Sequence, residues 1–301
     1  MPQIGDFMEY IPAKTIVTHN KRPDYWFGCE YNMNIYRGCS HGCIYCDSRS
    51  DCYQDKNFHQ VKVKEDALAI IRNDLRRKVK KGVVATGAMS DPYNPLEEKL
   101  CLTRNALELI SAYGFGAAID TKGILIKRDI DVLKEIKAHS PVIVKITITT
   151  LDDTLAKIIE PGAPTTSERL EALKMLSEEG IYAGVLLMPV LPFINDSKED
   201  ILNLLEALKE AKAKFIYPYF GLTLRDSQRA YFYNMLDKHF PSVKERYIET
   251  FGNKYKCPSP RSRALYSMFK AYAIRNNILY NMKDIIYSYK CGYENTQLSL
   301  F

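Results

Sequence analysis

The chain has 301 residues, 46% apolar and 26% charged, enough for one large or two ordinary soluble domains with a sizeable core. No apolar run approaches the ~20 residues that span a bilayer, and the opening residues Met-Pro-Gln-Ile-Gly-Asp are no secretory signal. The eight cysteines are therefore expected to be reduced in a cytosol, where they serve metals or catalysis rather than disulfides. The net charge of +6 is uneven: Lys209 to Lys290 carries 16 Lys and Arg against 6 Asp and Glu, which leaves the remainder mildly acidic. A basic half points toward nucleic acid, the plainer alternative being a solvated basic helix surface.

Residues 1–33 hold the sole tryptophan, Trp26, and show no clear period, so they read as an irregular covering segment. Residues 34–38 form a strand-like run into a loop with Cys39, Cys43 and Cys46 at C-x3-C-x2-C spacing and two glycines, Gly38 and Gly42. Thiolates bind soft metals, and this spacing lets one loop bring three sulfurs to a common cluster. Three ligands to a four-iron cluster leave one iron open for chemistry. A structural zinc site is the alternative; it needs a fourth ligand, and His41, the nearest candidate, sits awkwardly within the loop.

Further strand-like runs fall at 83–87, 115–120, 142–149, 182–188 and 215–220, with amphipathic helical patterns at 65–80, 104–113, 129–137, 167–179 and 198–212. Thr103, Ser167 and Ser197 are the expected N-caps. Strands alternating with helices indicate βαβ units and a parallel sheet. An open doubly wound sheet and a partial barrel both fit. The loop chemistry favours a partial (β/α)6 TIM-type barrel over 34–225, because barrel sites lie on loops at the strands' C-terminal ends. The cysteine loop follows strand one, Ala88-Met89-Ser90-Asp91 strand two, and Thr121-Lys122-Gly123 strand three. Residues 226–290 read as a mainly helical extension dense in basic and aromatic side chains, and 291–301 as a flexible tail.

The cysteine loop, with Tyr45 before its third cysteine, resembles the signature of the radical S-adenosylmethionine (SAM) enzymes. Within them the chain resembles the spore photoproduct lyase-like group, through residues 89–95 (Met-Ser-Asp-Pro-Tyr-Asn-Pro), Thr121-Lys122-Gly123, residues 160–164 (Glu-Pro-Gly-Ala-Pro) with Arg169-Leu170, and residues 191–196 (Leu-Pro-Phe-Ile-Asn-Asp). The resemblance implies that Cys39, Cys43 and Cys46 hold a 4Fe–4S cluster whose open iron chelates SAM. One-electron reduction, from a donor such as flavodoxin or ferredoxin, then yields a 5′-deoxyadenosyl radical that takes hydrogen from a substrate. It also implies that Ser90 and Lys122 contact the methionine part of SAM, as a hydroxyl and a cation suit an amino-acid head group. Asp91 is expected either to accept from the ligand amine or to cap the next segment, and Thr149 to face the ligand or to be an ordinary strand residue, as with Thr147. Glu160 and Arg169 are expected to form an ion pair below the site or to bind ligand. Tyr45 and Tyr93 are the expected catalytic side chains.

Two departures stand out. In spore photoproduct lyase a cysteine two residues before the Ser-Asp pair returns a hydrogen atom to the product radical, and here that position is Ala88. A tyrosine expected just after the third cysteine is replaced by Asp47. The lyase's own cycle therefore lacks its closing step; Cys29, Cys52, Cys101 and Cys257 are alternative donors that the sequence does not rank.

The tail residues Gln297, Leu298, Ser299, Leu300 and Phe301 resemble, at every position, the pentapeptide that binds the bacterial DNA polymerase III sliding clamp. A glutamine anchors by hydrogen bonds while leucine and phenylalanine fill an apolar groove. Together these features favour a radical enzyme acting on damaged DNA and recruited by the clamp. The alternatives are a radical enzyme that modifies RNA or a peptide, and a non-catalytic iron–sulfur DNA-binding protein.

Overall fold

The structure, a computed structural model, describes residues 8–53 and 57–293. Strands β1 (Tyr10–Ile11) and β2 (Val17–His19) lead to β3 (Tyr31–Met33) and β4 (Tyr36–Arg37), and after the cysteine loop come β5 (Lys62–Lys64) and α1 (Ala67–Arg77). Then the alternation sets in: β6 (Val83–Thr86), α2 (Glu97–Leu100) and α3 (Leu102–Ala112), β7 (Gly116–Thr121), α4 (Ile130–Lys137), β8 (Val142–Thr147), α5 (Asp153–Ile159) and α6 (Thr166–Glu178), β9 (Ala183–Leu187), α7 (Lys198–Glu210) and β10 (Ile216–Pro218). Beyond lie β11 (Gly221–Thr223), α8 (Asp226–His239), α9 (Val243–Phe251), β12 (Lys256–Pro258), α10 (Ser262–Arg275) and α11 (Met282–Lys290). No helix among the described residues is long and apolar enough to cross a membrane.

The main sheet runs β10-β9-β8-β7-β6-β3-β2. Its strands from β3 to β10 pair parallel in chain order, and β2 closes one edge antiparallel to β3. This is the expected six-stranded partial barrel, with two corrections. Strand one is Tyr31–Met33, not 34–38, and the supposed cover contributes two strands to the sheet. Tyr31 and Met33 bury their side chains in the core while Asn32 between them is half-buried; flanked by Glu30 and Asn34, so short a run carries little period. Tyr36–Arg37 instead pairs antiparallel with Lys62–Lys64 in a small separate sheet.

Alternation along the strands divides the core in two. Ala117, Ile119, Val144, Ile146, Val185 and Leu187 face the helices. Ala85, Ala118, Ile143 and Leu186 point into the barrel, which Phe27 and Phe215 fill from the side. Ser197 caps α7 as expected, accepting from the Asp200 amide. Thr103 and Ser167 do not cap. The Glu97 carboxylate takes the Thr103 amide at 2.9 Å, leaving the Thr103 hydroxyl to donate to Pro92 O. Thr165, two residues before Ser167, caps α6 in a reciprocal pair with Glu168.

Candidate active site

The cysteine loop leaves β4 through Gly38, whose φ of 81° and closeness to the Phe58 and Gln60 carbonyls admit no side chain. The loop is then pinned from outside. The Cys39 amide donates to Phe58 O at 2.8 Å and the Ile44 amide to Ile159 O at 2.9 Å. Ile44 is fully buried beside Leu191, Leu224 and Phe232. Burial pushes the Cys39 thiol up to about 11 and the Cys43 thiol further. Metal charge is therefore what would make thiolates of them.

His41 is occupied elsewhere. Its Nε2 is 3.0 Å from the Asp91 carboxylate and its Nδ1 3.3 Å from Gly162 O. The fourth ligand that a zinc site needs is thus committed, and three cysteines remain. Among the described residues no trio of Cys, His, Asp and Glu closes around a single ion, whereas a four-iron cluster takes its thiolates on separate iron corners.

Asp91 is the pin of the strand ends. Besides His41, its carboxylate accepts from the Tyr93 amide, the Thr121 hydroxyl and the Lys122 amide at 2.9, 2.6 and 2.7 Å. Three protein donors, one of them the Tyr93 amide two residues on, fit the turn-capping alternative for Asp91. What Asp91 positions is Lys122. That ammonium lies 5.7 Å from the Tyr45 ring centroid, and among the described residues no hydrogen bond or ion pair takes it up. Burial alone would lower its pKa, but the anionic groups around it, Cys43 as a thiolate and the Glu160 carboxylate first among them, raise it.

Tyr45 donates to Glu160, which is paired with Arg169; both members of the pair are 1% exposed. Arg169 also donates to Thr147 O and Pro164 O at 2.8 and 2.9 Å. The pair is structural, and it fixes the Tyr45 phenol. Tyr93 is also buried, with burial first and then Asp129 raising its pKa; Glu97 and Arg128 are its further charged neighbours. Ser90 donates to Gly38 O and lines, with Gly38, Ser48 and Cys52, a cleft of about 610 Å³, the size of small-molecule sites. The Thr149 hydroxyl is buried without a partner, a group left for a ligand. Ala88 is exposed at its strand end. Of the four thiols without rank, Cys29 is buried in the barrel and Cys257 on β12, Cys101 adjoins Arg128, and Cys52 alone lines this cleft.

Sequence reasoning missed the bracket on the other side of the loop. Gln228, fully buried on α8, donates to Tyr45 O and Thr223 O, both at 2.9 Å. Arg225 reaches Asp47 at 3.2 Å, and Arg49 stacks on Tyr231 at 4.2 Å. Nothing local announces a glutamine that folds back 183 residues. Asn195, within a quoted motif, ties Thr149 O to the Leu191 amide. The residues 297–301 lie outside the described residues.

The Radical SAM superfamily profile matches residues 33–214, more than half of the chain. An uncharacterized protein of Mycobacterium tuberculosis is 35% identical over 239 residues, covering 77% of this chain and 70% of its own. An uncharacterized protein of Methanocaldococcus jannaschii is 32% identical over 259 residues, covering 82% and 92%. Spore photoproduct lyase complexed with dinucleoside spore photoproduct superposes with a TM-score of 0.63 at 14% identity, over 88% of this chain and 79% of that one. A variant of that lyase with bound AdoMet and dinucleoside spore photoproduct gives 0.60 at 16%, over 82% and 74%. By its profile match, on a spore photoproduct lyase-like fold, the chain belongs to the radical S-adenosylmethionine superfamily, whose members use a 4Fe–4S cluster and SAM.

Proposed function

We propose that this protein is a radical enzyme acting on DNA, with a damaged base as substrate, and that the sliding clamp recruits it through residues 297–301. When bound, the cluster and SAM supply a 5′-deoxyadenosyl radical. Cys39, Cys43 and Cys46 hold the cluster; the Lys122 ammonium meets the SAM carboxylate, and the Ser90 and Thr149 hydroxyls offer further hydrogen bonds. Asp91, Tyr45 and Glu160 keep these groups in place. An electron donor of the flavodoxin or ferredoxin type completes the set.

The observation that carries the DNA reading is the attachment of the basic C-terminal region to the cysteine loop. Arg225, Arg229 and Tyr255 line a cleft of about 560 Å³ with Ser50 and Cys52, immediately beyond the third cysteine. Arg225, paired with Asp47 and lying over the Tyr255 ring, offers its charge to a phosphate and the ring a stacking face to a base. The similar lyase fold, solved with a dinucleoside photoproduct, lends support. Because Ala88 carries no thiol, the proposed reaction does not close as the lyase's does.

The test is anaerobic reconstitution followed by mass spectrometry of 5′-deoxyadenosine formed with deuterated, damaged oligonucleotides. Deuterium arriving in 5′-deoxyadenosine supports the reading. SAM cleavage indifferent to every DNA probe but stimulated by RNA or a peptide would overturn it.

A further inference from the structure

Among the described residues, one row of the barrel interior carries an ion pair. Asp120 and Lys145 are register partners on β7 and β8, each two residues along from the inward-facing Ala118 and Ile143. Lys145 is fully buried; its ammonium lies 2.7 Å from the Asp120 carboxylate and 4.6 Å from the Phe27 ring centroid. Taking two charges out of water costs several kcal/mol per ion, and an apolar pair of similar volume fills such a layer equally well. The pair is therefore not explained by packing.

Its geometry is that of a set acceptor. Among the described residues no donor makes a hydrogen bond to the buried Asp120 Oδ1, beside which the ammonium stands as an ion pair, and the Asp120 side chain keeps 12% exposure. Asp120 stands one inward position below Lys122, beneath the strand ends that carry the site. The neighbouring strand ends there in Gly87, which packs against the Asp120 backbone, and exposed Ala88. At those two positions the chain carries nothing larger than a methyl. On the other side, Phe27 carries Trp26 and Tyr217, whose half-buried rings meet edge to face at 5.7 Å and give a planar substrate an apolar wall.

We infer that Asp120, held by Lys145, determines specificity by accepting an N–H from a planar heterocycle that lies against Trp26 and Tyr217. The inference rests on the reading of the substrate as a nucleobase and names the edge of that base which the protein reads. Lys145 acts through Asp120, orienting its carboxylate.

The single tryptophan provides a direct readout. Anaerobic holoenzyme is titrated with thymidine and with 3-methylthymidine, which lacks the imide N–H, following Trp26 fluorescence. Thymidine is expected to give a saturable change, and 3-methylthymidine one about 10- to 100-fold weaker, the worth of a hydrogen bond to a charged acceptor. Asp120→Asn leaves Lys145 unpaired and keeps an accepting oxygen, so Asp120→Leu with Lys145→Met is the second variant. A merely structural pair predicts that this neutral variant, folded and with full iron content, binds thymidine like wild type; the inference predicts the same 10- to 100-fold loss. Equal binding of the two nucleosides, no saturable response to thymidine, or wild-type affinity in the neutral double variant overturns it. Failure of the DNA reading looks different: thymidine still discriminates, but damaged oligonucleotides neither stimulate SAM cleavage nor transfer deuterium.

Discussion

Lys122 gives the sharpest test of the site. Replacing it by Met removes the charge but leaves no partner stranded, because Glu160 keeps Arg169 and the Tyr45 hydroxyl. The loop remains held by the Lys122 amide on Asp91, which is backbone and survives the substitution. The fold and the cluster should therefore persist. On the proposed role of Lys122, the loss is one charge-assisted hydrogen bond to the SAM carboxylate, worth about 1.5–3 kcal/mol, so SAM should bind about 10- to 150-fold more weakly. Lys122→Arg should retain part of the affinity, since the charge stays but the fork is wider. The assay is equilibrium dialysis of labelled SAM against anaerobically reconstituted protein, normalised to iron and sulfide content. SAM affinity within twofold of wild type, at full iron content, would show that the unpartnered ammonium is not a ligand seat.

Arg169→Leu should destabilise the fold by about 3–5 kcal/mol in denaturant unfolding, because it strands the buried Glu160. Arg169→Leu with Glu160→Leu should regain most of that loss. Hydrogen bonds from Arg104 hold Asp131 down at about 2. Its contribution to stability is thus present above the ordinary carboxylate range and fades as pH falls from about 4 toward 2; Asp131→Asn should flatten that acid limb. The pair is largely exposed, so the difference should not exceed about 1 kcal/mol. A peptide of residues 291–301 should bind the bacterial sliding clamp by fluorescence anisotropy, and Gln297→Ala with Phe301→Ala should abolish binding. No binding by the intact peptide removes the clamp from the proposal.

The sequence by itself determined the chemistry and the architecture. Three cysteines in fixed spacing, and strands alternating with helices, are local patterns, and local patterns survive in a linear reading. The partial barrel and the clustering of Asp91 and Lys122 at the strand ends follow from them. Strand one was displaced because Tyr31–Met33 is too short to show a period and is defined by its partners on either side. Which polar groups are spoken for was equally beyond the sequence. His41 was a candidate zinc ligand and Asp91 either a ligand contact or a cap until the fold set them side by side, and only the fold shows Lys122 and Thr149, among the described residues, without a hydrogen-bond partner. The same holds for Gln228 on Tyr45 and for Lys145 on Asp120. A hydrogen bond or a buried ion pair depends on distance in space, and across 25 to 183 residues of chain only packing decides it.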